Sequence, residues 1–176
     1  MVDLEIELPE FHVQPGEVQI AREPAILKTI LGSCVGVTFW SARIGVGALC
    51  HGVLPRFPGG IRVPEAYRYV DFAILDLIGQ LESLGARRRE IQIKAFGGAD
   101  VLPTGSGRST NQSVGRQNRD SALEVLRTAD LRVMASDLGG TAGRVLQFNT
   151  ATGEVLLRRL AHLNESMARR TEGQKP

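Results

Sequence analysis

At 176 residues and 43% hydrophobic content, the chain has apolar material for one good core and is short for two. Lys plus Arg total 21 against 19 Asp plus Glu, spread along the chain apart from Arg87, Arg88 and Arg89, and aromatic residues make up 5%, so the basic face and stacking rings of a nucleic-acid binder are missing. MVDLEIELPEF carries acids where a secretion signal needs a basic start, and no stretch approaches the ~20 apolar residues of a membrane span. The two cysteines are too few for a disulfide scaffold, and a cytosolic protein with free thiols and no membrane insertion is expected.

The opening third reads as strands. Leu4, Ile6 and Leu8 alternate with acids, and Val18 and Ile20 follow a Pro15-Gly16 turn. Within the dense apolar stretch Ala25 to Trp40, the run Val35 to Trp40 favours a strand, while Gly32 and Gly36 mark bends or close approaches. A turn over Ser41 to Gly45 and a second strand over Val46 to Leu54 make a hairpin that Pro55 stops. Residues 56 to 64, RFPGGIRVP, read as a mobile loop. Val70, Ile74, Leu77, Leu81 and Leu84 then recur at helical spacing, with Pro64 suited to the first turn and Gly85 to the stop.

Ile91 to Phe96 reads as a strand ending in Gly97-Gly98, and Pro103 to Gln117 as loop. Asn118 suits the N-cap of a second helix that places Ala122, Val125 and Leu126 on one face. Strands over Leu131 to Ala135, Arg144 to Phe148 and Glu154 to Leu160 follow, the last two joined by the Asn149 to Gly153 turn. The expected architecture is α+β or mixed α/β: a single-domain layered sandwich of mixed sheet with about two main helices over residues 1–163, and a frayed polar tail over 164–176.

An apolar-flanked cysteine is ordinarily a small buried hydrophobe with an inert thiol. Two features set Cys34 apart. Gly32 and Gly36 bare the backbone around it, and His51 lies on the next strand of the same hairpin, where an imidazole can take a thiol proton and stabilise the thiolate. A lone strand histidine can also be a core residue satisfied by backbone. Because successive strand side chains point to opposite faces, a His51 turned to the site turns Cys50 away, leaving Cys34 as the better nucleophile. A metal is disfavoured: there is no CxxC, no HExxH, and only three histidines. PTGSGRST lacks the GK[ST] of a phosphate loop, and Ser33 lacks the G-x-S-x-G elbow.

The run Thr29 to Val37, TILGSCVGV, followed by His51-Gly52-Val53-Leu54-Pro55, resembles the signature of the CheD family of chemoreceptor glutamine deamidases. Lys94 to Ala99, KAFGGA, resembles that family's K-x-FGGA strand end, and Asp137-Leu138-Gly139-Gly140 with Gly143-Arg144 its late GG-x-x-GR segment. Four matches in order, over roughly residues 15 to 160, are far more specific than any one. One departure is Gln117 in VGRQN, where the family pattern leads one to expect arginine.

The resemblance implies an enzyme of bacterial or archaeal chemotaxis that hydrolyses selected glutamines of methyl-accepting receptors, using no cofactor or metal. Cys34, His51 and Thr29 match the family's catalytic residues, with Lys28 the neighbouring alternative to Thr29. Backbone N–H groups around Gly32, Ser33 and Val35 are candidates for an oxyanion hole. Glutamyl methyl esters would suffer the same thioester chemistry. Two other readings are a regulatory partner of a CheC-type phosphatase and a general cysteine peptidase.

Overall fold

The computed structural model describes residues 7–100 and 113–160. The strand positions Leu4 and Ile6, most of the glycine-rich loop, and the tail beyond His162 fall outside these residues. Nine strands are described: β1 (Glu10–His12), β2 (Val18–Ala21), β3 (Ile26–Leu31), β4 (Val35–Ser41), β5 (Val46–Gly52), β6 (Gln92–Gly97), β7 (Val133–Leu138), β8 (Arg144–Asn149) and β9 (Val155–Arg159). Two α-helices accompany them, α1 (Val70–Ser83) and α2 (Val114–Thr128).

The strands form a five-stranded sheet in the order β2-β5-β4-β6-β7 and a four-stranded sheet in the order β1-β3-β8-β9. Each sheet is mixed, since β6 pairs with β7 and β1 with β3 in parallel while the remaining pairs are antiparallel. The fold is thus an α+β sandwich, with the five-stranded sheet between the helices and the second sheet.

Strand alternation builds both cores. Val35, Val37 and Phe39 of β4, with Val46, Ala48 and Cys50 of β5, pack on Ile74, Leu77 and Leu81 of α1 and on Ala122 and Leu126 of α2. On the opposite face Leu49 and Phe96 meet Leu27, Leu31, Leu146 and Phe148 of the second sheet. Truncating one of these buried leucines to alanine costs ~2–5 kcal/mol. Trp40, at the end of β4, donates its indole N–H to the Thr150 carbonyl at 2.8 Å and lays its ring against Gly153, gripping the β8–β9 turn.

Helix α1 carries the expected apolar positions, but Pro64 precedes a separate 3-10 turn over Glu65–Arg68, and α1 itself starts at Val70. Its end is as expected. Gly85, at φ +99°, donates to Glu82 O, and Ala86 donates to Leu81 O, the paired bonds of a Schellman stop.

Several boundaries move. Strand β7 runs two to three residues later than the periodicity suggested, Val133–Leu138. Helix α2 begins at Val114, so the loop reading fails for its first turn. The N-cap is Ser113, whose hydroxyl accepts from Arg116 N at 3.2 Å; Asn118 lies inside the helix and is fully buried. The first turn lies close under the β6 end, where a Cβ on Gly115 would come within 2.3 Å of Ala99 O. Glycine is there for proximity rather than for a loop.

Candidate active site

The β3–β4 turn, Gly32-Ser33-Cys34, leads straight into β4, and β4 pairs along its length with β5. Gly36 stands directly opposite His51 in that ladder. Cross-strand partners share a face and residues two apart share a face, so His51 and Cys34 are diagonal neighbours on the side toward the second sheet. Gly36 contributes no side chain between them, and a Cβ there would meet Leu31 Cδ1 at 2.9 Å. Cys34 packs against the intersheet core, as its diagonal placement requires.

His51 is 2% exposed and its ring is held from the second sheet. Thr29 Oγ1 lies 2.8 Å from His51 Nδ1 and donates its own proton to Val13 O at 2.7 Å. A hydroxyl has one proton, so with that proton committed, Thr29 receives the bond from a protonated Nδ1. Val13 O, 3.4 Å from Nδ1, favours the same tautomer. The consequence is a neutral imidazole whose Nε2 lone pair is available as a base. Thr29 reaches this position because Leu27, Thr29 and Leu31 are the inward residues of β3. Lys28 points the other way, to Glu10 at 2.6 Å, which removes it as the alternative ring partner.

Burial raises the Cys34 thiol above its ordinary range. Burial also lowers the His51 imidazole, opposed by its bond to the Val13 carbonyl and by the charge of Glu17. Both shifts favour the neutral forms. No hydrogen bond joins the thiol to His51 among the described residues, so the resting site is a neutral thiol beside a neutral base rather than a preformed ion pair. Cys50, one residue from His51, faces the helices, and burial pushes its thiol up to about 12.

All three carbonyls of the turn are engaged. Gly32 O accepts from Ala99 N at 2.9 Å, Cys34 O from Gly98 N at 2.8 Å, and Ser33 O from Asn118 Nδ2 at 3.0 Å. Gly97, at φ +98°, brings its main chain so close that a Cβ would lie 2.2 Å from Cys34 O. Among the described residues, no acceptor meets the N–H of Ser33 or of Cys34. Val35 already has register partners on both sides, Gly52 and Gly97.

The outer brace is the late glycine segment. Arg144, 3% exposed, bonds Asp137 Oδ1 at 2.6 Å and the Gly139 and Ala142 carbonyls at 2.7 and 2.9 Å. That loop in turn meets the β6 end through Gly139 N to Gly97 O and Asp100 N to Gly140 O, both 2.8 Å.

Sequence reasoning missed Val13 and Asn118. Val13 acts through its carbonyl, which no side-chain pattern reveals. Asn118 Nδ2 donates to Ser33 O and also to Val53 O at 2.9 Å, while its Oδ1 is buried with no partner. An orphaned buried acceptor costs ~1–3 kcal/mol, so packing alone does not account for an asparagine here.

The family model described as CheD chemotactic sensory transduction matches residues 53–159. The chain belongs to the CheD family. A Geobacter sulfurreducens relative called a probable chemoreceptor glutamine deamidase CheD 2 is 42% identical over 154 residues, 88% of this chain and 92% of its own. An Oleidesulfovibrio alaskensis relative, a probable chemoreceptor glutamine deamidase CheD, is 36% identical over 95% of this chain and 80% of its own. A Rhodospirillum rubrum relative of the same description is 36% identical over 86% and 82%. Among the described residues no helix is long and apolar enough to cross a membrane.

Proposed function

We propose that this chain hydrolyses glutamine side chains of methyl-accepting chemotaxis receptors to glutamate, with Cys34 as nucleophile, His51 as general base and acid, and Thr29 as the residue that orients His51. The observation that carries this reading is the Thr29–His51 hydrogen bond of 2.8 Å, which leaves Nε2 without a hydrogen-bond partner among the described residues, on a side chain opposite Gly36, two residues after Cys34. The names of the relatives supply the substrate class.

In this mechanism His51 Nε2 takes the Cys34 proton as Sγ attacks the carboxamide carbon. The oxygen becomes an oxyanion facing the N–H groups of Ser33 and Cys34, which meet no acceptor among the described residues. Collapse breaks the C–N bond, His51 returns the proton to the departing ammonia, and a thioester remains on Cys34. Water deprotonated by His51 then attacks the thioester, releasing glutamate and restoring the thiol. The step starts from a thiol whose pKa burial raises and an imidazole whose pKa burial lowers. No step needs a metal ion or cofactor.

The loop following Pro55, secured at its base on α1 and exposed beyond it, forms part of the surface that meets the receptor segment. Phe57 packs on Tyr69 and Phe72, and its N–H donates to Asp71 Oδ1 at 2.8 Å, while Ile61 and Val63 are exposed. Shortening the loop beyond Phe57 is expected to raise KM for receptor fragments while leaving the thiol equally reactive.

The deciding experiment mixes wild type and Cys34→Ala with receptor cytoplasmic fragments and follows ammonia release and fragment mass. Deamidation adds about one dalton per site, as NH2 becomes OH in the hydrolysis, with wild type alone. A methylated fragment that releases methanol instead would make the methylesterase reading the better one. Silence on every folded fragment would favour a regulatory partner of a CheC-type phosphatase.

A further inference from the structure

We infer that Asn118 is a positioning residue for the oxyanion hole: its carboxamide locks the Ser33–Cys34 peptide so that the nucleophile's own N–H faces the reacting carbonyl. The inference rests on the thioester reading above.

The argument begins with peptide geometry. A trans peptide unit is planar and its C=O and N–H point in opposite directions, so fixing one fixes the other. Ser33 C=O and Cys34 N–H belong to one unit. Asn118 Nδ2 holds that carbonyl at 3.0 Å, and Cys34 N–H is therefore turned away from α2. The neighbouring unit is fixed in the same manner, because Ala99 N holds Gly32 O at 2.9 Å and so orients Ser33 N–H. Two adjacent N–H groups with no acceptor among the described residues, at the turn that bears the nucleophile, are the donors a tetrahedral oxyanion requires.

The assignment of the amide follows from its partners. Its two acceptors, Ser33 O and Val53 O, are carbonyls that can only receive, so the NH2 end must face them, and the flipped carboxamide would set oxygen against oxygen. Both amide protons are thereby used, one on the turn of Cys34 and the other two residues beyond His51. A single buried side chain thus ties the nucleophile turn to the strand of the base. The unpartnered Oδ1 is what remains of a group retained for its two donors.

An interaction that orients an oxyanion donor affects acyl transfer but not alkylation, because displacement of iodide from iodoacetamide by a thiolate forms no oxyanion. The test therefore uses both reactions on wild type, Asn118→Ala and Asn118→Leu, the leucine preserving volume where the alanine risks collapse. Acylation is followed by p-nitrophenolate release from p-nitrophenyl acetate, in which Sγ–acetyl forms as the ester C–O bond breaks. Alkylation is followed by mass at Cys34, and folding by thermal melting.

The expected result in a cooperatively melting variant is an acylation rate about 10–100-fold below wild type, with alkylation within about threefold. On receptor fragments kcat falls by a comparable factor and KM stays within about threefold. Acylation within threefold of wild type in a folded variant would overturn the inference. So would acylation and alkylation falling together, which would mean that the whole turn had moved. If wild type acylates but deamidates no receptor fragment, the substrate reading fails while the contrast between the two reactions still decides the role of Asn118.

Discussion

The two faces of the five-stranded sheet bury different things. Toward the helices the layer is almost wholly apolar, and the thiol it encloses, Cys50, is pushed up to about 12 and cannot ionise in the neutral range. Toward the second sheet, the same strand one residue later presents His51, hydrogen-bonded to Thr29 and close to the Val13 carbonyl. The pleat of β5 therefore separates the buried Cys50 from the proposed base, His51, across a single peptide bond. The difference lies in what surrounds each residue: aliphatic side chains of the helix layer around Cys50, and around His51 the Thr29 hydroxyl and Val13 carbonyl set within an otherwise apolar interface between the sheets.

The sharpest way to break this contrast is to exchange the cysteines. Cys34→Ala should remove receptor deamidation by more than about a thousandfold, the scale seen when a nucleophile is deleted. Cys50→Ala should leave kcat within about threefold while lowering stability by about 1 kcal/mol for the lost buried group. Parallel losses of activity in the two proteins, measured by ammonia release and melting, would erase the distinction between the faces.

Next comes the base. His51→Gln should cost about 10²–10⁴ in kcat. In the wild type, burial lowers the imidazole pKa, so the acid limb of kcat/KM should fall below the ~6.5 of a free histidine. The same shift has a stability consequence. The unfolded chain takes up the proton more readily, so the contribution of neutral His51 is complete above the ordinary imidazole value and is lost as pH falls toward the folded one. A melting series from pH 8 to pH 5 on wild type and His51→Gln would show the decline only where the histidine is present.

A smaller effect separates the two faces of β3. Thr29→Val keeps the shape but removes the acceptor for Nδ1–H, and roughly a tenfold loss in kcat is expected from one hydrogen bond worth ~1–1.5 kcal/mol. Lys28→Ala, on the outward face, should change kcat by less than about twofold, since its exposed pair with Glu10 is of little energetic weight. The smallest test concerns the resting charge state. With thiol and imidazole both neutral, alkylation of Cys34 should rise about tenfold per pH unit from 6 to 8. A rate flat across that range would mean that a thiolate–imidazolium pair exists in the free protein.

Much of this was legible in the sequence, for identifiable reasons. The β4–β5 hairpin declared itself through β-branched alternation around a turn, and with it the position of His51 on the strand next to the one that Cys34 leads into and the opposite aim of Cys50. Helix α1 was visible from its apolar period. The start of α2 was not, because Gly115 reads as a loop residue when its actual role is to let the helix meet Ala99, and because several Ser, Thr and Asn residues nearby compete as caps. Asn118 was read as one of those caps. Its real partners are 85 and 65 positions away, a separation at which local pattern carries no information. Thr29 stood out only through the family resemblance; the strand parity of β3 then explains why it, rather than Lys28, reaches the ring.

Trp40 is the only tryptophan in the chain, and its indole is shared between the two sheets, bonded to Thr150 and laid against Gly153. Its fluorescence is therefore a built-in reporter of whether the second sheet is seated on the first. Because Thr29 and Val13 hold His51 from that second sheet, a red shift in emission that precedes loss of helical circular dichroism would mark a state with its helices intact and its base adrift.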